Sequence, residues 1–293
     1  MLDKVVVALG FFDSVHIGHR SVIKSARKIA DSNNAKLVVI SFSGNLRKAI
    51  NGESEKYIYT DCERESLIKN IGADQVFFAP CTKEFLSLER REFLHLINQK
   101  FNIIAYVCGL DYRFGKNALG DVNFLSEYAK EKEQDLSIVK YSTFNGEKVS
   151  TKGIKSLLFN GEIELANNLL VDKYTLSGVV ESGRKVGRTM GFPTINFAVD
   201  VDRQPLKNGV YLGHTEIDNK IYKAIINYGN RPTFSLDERV IEAHILDFDG
   251  DLYGKKIKLV FDKFIRDIIK FDDINELKIQ LEKDAEKASK LEI

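Results

Sequence analysis

KVVVALGFFDSVHIGHR, residues 4–20, decides how the first half of the chain is read. Its first residues form an unbroken apolar, β-branched run, which suits a strand buried on both faces. His16 and His19 then stand three apart with Gly18 between them. GHRSVIKSARKIADS (18–32) follows at once, with apolar residues at Val22, Ile23, Ala26, Ile29 and Ala30, which is helical spacing. A glycine-bearing turn that leads from a strand into a helix is a natural anion site, because free backbone N–H groups and the helix dipole both favour phosphate. Imidazoles there can donate hydrogen bonds to a phosphoryl group as its negative charge grows. A metal would need a third ligand, and the spacing differs from the HExxH pattern. The alternative is two incidental cap or surface histidines.

Outward from that turn, strand-like and helix-like segments alternate. KLVVISF (36–42) reads as a second strand. TDCERESLIKNIG (60–72) starts at Thr60 with Glu63 three later, a capping box, and closes at Gly72. QVFFA (75–79), a helix near 88–100, the strand IIAYVCG (103–109) and a helix near 121–132 continue the series. Such alternation predicts a Rossmann-like parallel sheet covered on both faces, with ligands at the carboxyl ends of its strands. IKSLLFNGEIELANNLL (154–170) reads as helix with a break at Gly161.

The texture then changes. YTLSGVVES (174–182), TINFAV (194–199), GVYLGHTEI (209–217), KIYKAIINYG (220–229), VIEAHILDF (240–248) and KIKLVF (256–261) are strand-like, with turn residues such as Asp218-Asn219 and Asp249-Gly250 between them. They predict a six-stranded antiparallel β-barrel. A last helix near 273–291 carries Ile274, Leu277, Leu281, Ala285 and Ala288 on one face, enough to cover a barrel end. The fold class is therefore α/β plus β, with domains 1–172 and 173–293.

Composition agrees with two domains: 293 residues, 44% apolar, 29% charged. A net charge of +1, without long charge runs, gives no case for nucleic acid or an acidic membrane as partner. Cys62, Cys81 and Cys108 show no motif spacing and point to reduced thiols. The run VVVALGFF (5–12) is too short for a membrane span and lacks a basic flank and cleavage site. A cytoplasmic monomer or weak oligomer is expected.

The second half has its own candidate chemistry in GRKVGRTMGFPTINF (183–197). Gly183, Gly187 and Gly191 allow close backbone approach to phosphates, and Lys185 and Arg188 supply positive charge. Thr194 and Asn196 offer hard oxygen ligands suited to Mg²⁺ with its phosphates. A tight glycine-rich hairpin with solvated basic residues fits the composition equally well.

These strings carry a family resemblance along nearly the whole chain. GFFDSVHIGHR (10–20) resembles GxFDGxHxGH of bacterial FAD synthetases, the bifunctional riboflavin kinase/FMN adenylyltransferases, and HxGH there is similar to the nucleotidylyl transferases at large. GLDYRFGKNALGD (109–121) resembles GxDFRFG, and VSTKGIK (149–155) more loosely ISSTxIR. GRKVGRTMGFPTINF resembles GxxxGRxLGFPTAN of riboflavin kinases, with Ile195 for alanine. KNGVY (207–211), NYGNRPTF (227–234), IEAHILDFDGDLYGKKIKLVF (241–261) and FIRDIIKF (264–271) resemble further family segments in order.

The resemblance implies a riboflavin kinase, which makes FMN and ADP from riboflavin and ATP, and an adenylyltransferase, which makes FAD and pyrophosphate from FMN and a second ATP. It implies His16 and His19 as catalytic in adenylyl transfer. Gly10, Asp13, Ser150 and Lys155 would meet ATP, and Asp111 and Arg113 the flavin and nucleotide end of that cleft. In the barrel it implies Glu242 as the general base at the ribityl 5′-hydroxyl, Thr194 and Asn196 as ligands of Mg²⁺, and Gly183, Lys185, Gly187 and Arg188 at the phosphates. Arg266 would lie near flavin or nucleotide, while Tyr211, Phe234 and Phe248 could stack on isoalloxazine or belong to the core. Ser14 stands for the family's glycine, Lys152 for a hydroxyl, Lys155 for arginine and Ile268 for an acid. Those departures keep open a riboflavin kinase with a weakened or inactive adenylyltransferase domain. A flavin or nucleotide sensor without turnover is a further alternative.

Overall fold

The computed structural model describes residues 3–44, 52, 55–181, 191–230, 239–271, 273–290 and 292. It divides into two compact units, Met1–Ile154 and Lys155–Ile293. The division falls at 154/155, whereas the change of texture along the sequence points to 172/173.

The first unit is built on five parallel strands: β1 (Lys4–Leu9), β2 (Lys36–Phe42), β3 (Gln75–Ala79), β4 (Asn102–Gly109) and β5 (Asp135–Val139). Their order is β3-β2-β1-β4-β5. The chain therefore winds outward from β1 to β3, returns, and continues from β4 to β5. The switch point lies between β1 and β4, and a crevice opens there at the strands' carboxyl ends. Residues 5–9 of β1 are all buried, as a strand covered on both faces requires.

Helix α1 (Ile17–Ser32) lays Val22, Ile23, Ala26 and Ala30 on one face of the sheet. Helix α2 (Asp61–Ile71) starts with the capping box of Thr60 and Glu63 and stops at Gly72, whose φ of +130° suits glycine. A single turn α3 (Lys83–Leu86) precedes α4 (Arg90–Lys100) and α5 (Val122–Glu131). Phe93, Leu94 and Ile97 of α4 and Leu125 and Tyr128 of α5 pack with Val5, Val7, Leu9 and Tyr106 on the other face. Strand β5, turn α3 and the hairpin β6 (Thr143–Phe144) and β7 (Glu147–Lys148) were not anticipated from the sequence.

Helices α6 (Thr151–Asn160) and α7 (Ile163–Leu169) are separated at Gly161, φ +81°, the predicted break. The second unit then holds β8 (Thr175–Val179), β9 (Thr194–Val199), β10 (Gly209–Ile217), β11 (Lys220–Asn230), β12 (Arg239–Ile245) and β13 (Lys256–Arg266). They form one antiparallel sheet in the order β8-β13-β10-β11-β12-β9. The Glu181 N–H donates to the Asn196 carbonyl at 2.8 Å, so the sheet curls into a nearly closed barrel. Asp218 and Asn219, both left-handed, make the two-residue turn between β10 and β11.

Helix α8 (Ile274–Ser289) is capped by Asp273 and buries Ala288 against Val210, Leu212 and Ile225. Leu277, Leu281, Ala285 and Ala288 lie on its covered face as expected, whereas Ile274 is 66% exposed and Asp284, on the covered face, is fully buried. Arg266 reaches Asp284 through Nη2 at 2.7 Å and Nε at 3.0 Å, and Gln280 donates to the other carboxylate oxygen at 2.9 Å. Arg266, expected near the flavin or nucleotide, makes a mostly buried ion pair that ties α8 to the end of β13.

Asp284→Ala should lower the unfolding free energy of the barrel by about 3 kcal/mol, because it strands a mostly buried guanidinium. Arg266→Met combined with Asp284→Leu should cost less than that. Urea denaturation of the two variants beside the parent chain checks the order.

Candidate active sites

The β1–α1 turn is shaped by ring contacts. His16 is the N-cap of α1, and its Nδ1 accepts the His19 backbone N–H at 3.1 Å. A nitrogen that accepts carries no hydrogen, so the His16 proton sits on Nε2. The His16 and His19 rings stack with centroids 3.7 Å apart and planes 15° apart. Phe12 meets His19 edge-on at 5.3 Å. Gly18 is required here for space: a Cβ would lie 2.9 Å from His16 Cε1. Gly10 is similar, since a Cβ would meet the Phe12 ring at 2.7 Å.

Burial sets the charge of the pair. His16 is only 6% exposed, and desolvation pushes its pKa down to about 4. Desolvation, then the His16 and Arg64 charges, push His19 well below its ordinary value. Both imidazoles are neutral at pH 7. The Nδ1 of His19 is buried without a partner. A lone pair is tolerated there more readily than an N–H, which leaves Nε2–H as its donor too.

A cleft of about 360 Å³ opens at the switch point between β1 and β4. It gathers Gly10, His16, His19, Asp111, Arg113 and Ser150 in one place. Asp111 follows β4, and Lys148 at the end of the β6–β7 hairpin donates to its carboxylate, holding it below the usual carboxylate range. Arg113 pairs with Asp121, the N-cap of α5, at 3.2 Å. Ser150 caps α6, with its hydroxyl accepting the Gly153 N–H at 3.2 Å. The N-termini of α1 and α6 thus both face one cleft, and each presents unbonded amides. Asp13 is buried in the turn, and neither it nor Lys155 is among the lining residues.

Three contributors escaped the sequence reading. Ser14 is fully buried, and its hydroxyl meets that of Thr151 at 2.9 Å. The departure from the family's glycine therefore ties the β1–α1 turn to the first residue of α6. Arg64, 2% exposed, bonds the Phe11 carbonyl at 2.9 Å, the Phe42 carbonyl at 2.5 Å and Asp61 at 2.6 Å. It pins the turn to the ends of β2 and α2. Lys148 had a signal: Asn145-Gly146, left-handed at both residues, is the dipeptide of a tight hairpin.

In the barrel, register does the gathering. Glu242 on β12 lies opposite Asn196 on β9, and His244 opposite Thr194. The four share one face, because paired antiparallel residues point the same way. Ile241, Ala243, Ile245 and Phe197 between them are buried in the core. The Thr194 hydroxyl donates to Glu242 Oε1 at 2.9 Å. Thr194 borders a hollow of about 490 Å³, which Phe248 and Tyr253 also line; Asn196 and Glu242 are not among its lining. Tyr211 is core, its hydroxyl donating to the Lys207 carbonyl at 2.6 Å. Phe248 packs edge-on against Tyr222 at 5.3 Å. Gly183, Lys185, Gly187, Arg188 and Phe234 lie outside the described residues.

The oxygens fit a small hard cation. The Thr194 hydrogen is directed at Glu242, so its lone pairs stay available, and the Asn196 side chain shares that face. Among the described residues, no group of three or more His, Cys, Asp or Glu side chains could hold a metal by itself. A cation shared with substrate phosphates suits so sparse a protein ligand set. Among the described residues, no helix is long and apolar enough to cross a membrane.

Two outcomes test this geometry. Gly18→Ala adds a good helix former at the start of α1 but pushes on the His16 ring. It should leave thermal stability nearly unchanged and cut catalysis in this cleft by roughly 10-fold or more, the scale of an ångström-sized misplacement. The second concerns acid. Below its ordinary value of 6.5 the unfolded His16 takes a proton, while the folded one resists until about 4. Stability is therefore complete near pH 7.5 and falls through that window. Between pH 7.5 and 5 the parent should lose roughly 2 kcal/mol more than His16→Asn in urea denaturation.

Comparison with known proteins agrees with both halves. A family model described as FAD synthetase matches residues 1–153, and one described as riboflavin kinase matches 170–292. A bifunctional riboflavin kinase/FMN adenylyltransferase of Bacillus subtilis is 33% identical over 97% of this chain and 92% of its own length. One from Haemophilus influenzae is 30% identical over 98% and 94%. A solved structure from Streptococcus pneumoniae, described as a macrolide-efflux protein, superposes with a TM-score of 0.92 at 29% identity, covering 99% of this chain and 95% of that one. Both family models and the relatives from Bacillus subtilis and Haemophilus influenzae agree on flavin chemistry. The chain belongs to the family of bifunctional riboflavin kinase/FMN adenylyltransferases.

Proposed function

We propose that the two activities of this riboflavin kinase and FMN adenylyltransferase are divided between residues 1–172 and 173–293, the first making FAD and the second FMN. What carries this is the one cleft that gathers the neutral histidine pair and two helix N-termini.

In adenylyl transfer an FMN phosphate oxygen attacks the α-phosphorus of ATP, and pyrophosphate leaves. Negative charge grows on the transferring group. The Nε2–H groups of His16 and His19 and the amides at the starts of α1 and α6 stabilise it without adding ionic charge of their own. Gly10 lets the nucleotide approach the backbone, and Asp13 and Ser150 hold the turns that receive it. Asp111 and Arg113 orient the flavin and nucleotide end, and Lys155 adds a positive charge towards the triphosphate.

In the kinase step Glu242 takes the proton of the ribityl 5′-hydroxyl as that oxygen attacks the γ-phosphorus of ATP, and ADP leaves. The Thr194 hydrogen bond keeps the Glu242 carboxylate aimed. Phosphoryl and adenylyl transfer from ATP call for a divalent cation, which neutralises phosphate charge. We assign this role to Mg²⁺, held in the barrel by Thr194 and Asn196, with Gly183, Lys185, Gly187 and Arg188 at the phosphates. The free thiols Cys62, Cys81 and Cys108 support a reducing, cytoplasmic setting. No observation favours an idle first domain.

His16→Ala and His19→Ala should each lower FAD formation from FMN and ATP by about 10²-fold or more and leave FMN formation intact. Glu242→Ala should do the converse. Parallel loss of both activities in any of the three would refute the division; timed chromatography of riboflavin, FMN and FAD reads it.

A further inference from the structure

We propose that His244 is a positioning residue for phosphoryl transfer in the barrel: it holds the peptide that delivers Thr194 to Glu242. The inference rests on the reading of Thr194 and Glu242 given above. Strand β9 begins at Thr194, so the carbonyl of the exposed Pro193 lies outside the barrel ladder. His244, opposite Thr194 in register, donates to it: Nδ1 lies 2.8 Å from the Pro193 oxygen. A carbonyl only accepts, so the His244 proton sits on Nδ1. The Phe192 ring meets the imidazole at 5.2 Å and 66°, fixing its plane.

These contacts close a loop of constraints. Thr194 is held on one side by its hydroxyl, which donates to Glu242 Oε1 at 2.9 Å. On the other side, the carbonyl just before it is held by His244, two residues beyond Glu242 on the same strand face. The Thr194 oxygen, its hydrogen bond and the Glu242 carboxylate are thereby fixed relative to one another before substrate arrives. Neither His244 contact reaches a reacting atom, so the residue acts through Thr194.

The full-length chain carries its own control, because adenylyl transfer from supplied FMN reports folding of the same molecule. His244→Phe keeps a ring against Phe192 but loses the donor. His244→Asn places an amide nitrogen close to where Nδ1 stood. We expect His244→Phe to slow FMN formation and to weaken Mg²⁺·ADP binding, read by calorimetry, by about three- to tenfold each, the scale of one hydrogen bond. The KM for riboflavin should move less than about twofold, and His244→Asn should recover most of both losses, since the donor is restored. Adenylyl transfer should be unchanged in both variants. Parent-like kinetics and Mg²⁺·ADP affinity in His244→Phe would overturn the proposal. So would an Asn variant no better than Phe, or equal loss of both activities. Glu242→Gln run alongside separates the two levels. Undiminished FMN formation there would sink the base assignment and this inference with it. Loss there beside an unaffected His244→Phe would sink the inference alone.

Discussion

The His16 imidazole occupies the space that any side chain at position 18 would need, and the same ring closes the first turn of its helix. From that one contact the properties of the sheet rim follow. The ring can lie flat against His19 because the glycine beneath it is bare. Stacked and shielded, neither imidazole can afford a charge, so each is a neutral donor at physiological pH. A neutral donor stabilises growing phosphate charge without trapping a ground-state anion. The surrounding turn needs bracing, since Phe12 and Val15 both sit in the left-handed region. Arg64 from one side and the Ser14–Thr151 hydroxyl pair from the other supply it.

Much of this was legible in the residues. The apolar run, the helical spacing after His19 and the capping box at Thr60 each speak through local rules, and β1, α1 and α2 fall where those rules put them. Elements set by weaker local signals were harder to see. Strand β5 reads DLSIV, with a charge and a hydroxyl in five residues, and it is a strand because β4 offers an edge to pair with. Arg64 sits within α2, where an arginine is ordinarily a surface cation. Its burial depends on carbonyls from β2 and the β1–α1 turn, which are distant in sequence.

The family motif names Glu242, Thr194, Asn196 and Arg266; register gathers the first three on one strand face, and Arg266 pairs with Asp284. Glu242, Thr194 and Asn196 come together because strand register brings them together, and register follows from the alternation of polar and apolar residues along β9 and β12. Arg266 sits at the end of β13, where alternation has stopped, and only the docking of α8 decides what it meets. Asp284 gave no warning either, since an acid within a helix rich in charge is ordinarily solvated.

The alternation around Asn196 on β9 and Glu242 on β12 limits how this half of the molecule can change over generations. Deleting or inserting one codon just before Glu242 within β12 would turn the carboxylate inward and core residues outward in a single event, and one within β9 would do the same to Asn196 or the Thr194 hydroxyl. Around β9 and β12, length variation is therefore accommodated most readily in the connections, such as the stretch between Ile245 and Lys256, whereas β10 and β13 already absorb register shifts within their pairing.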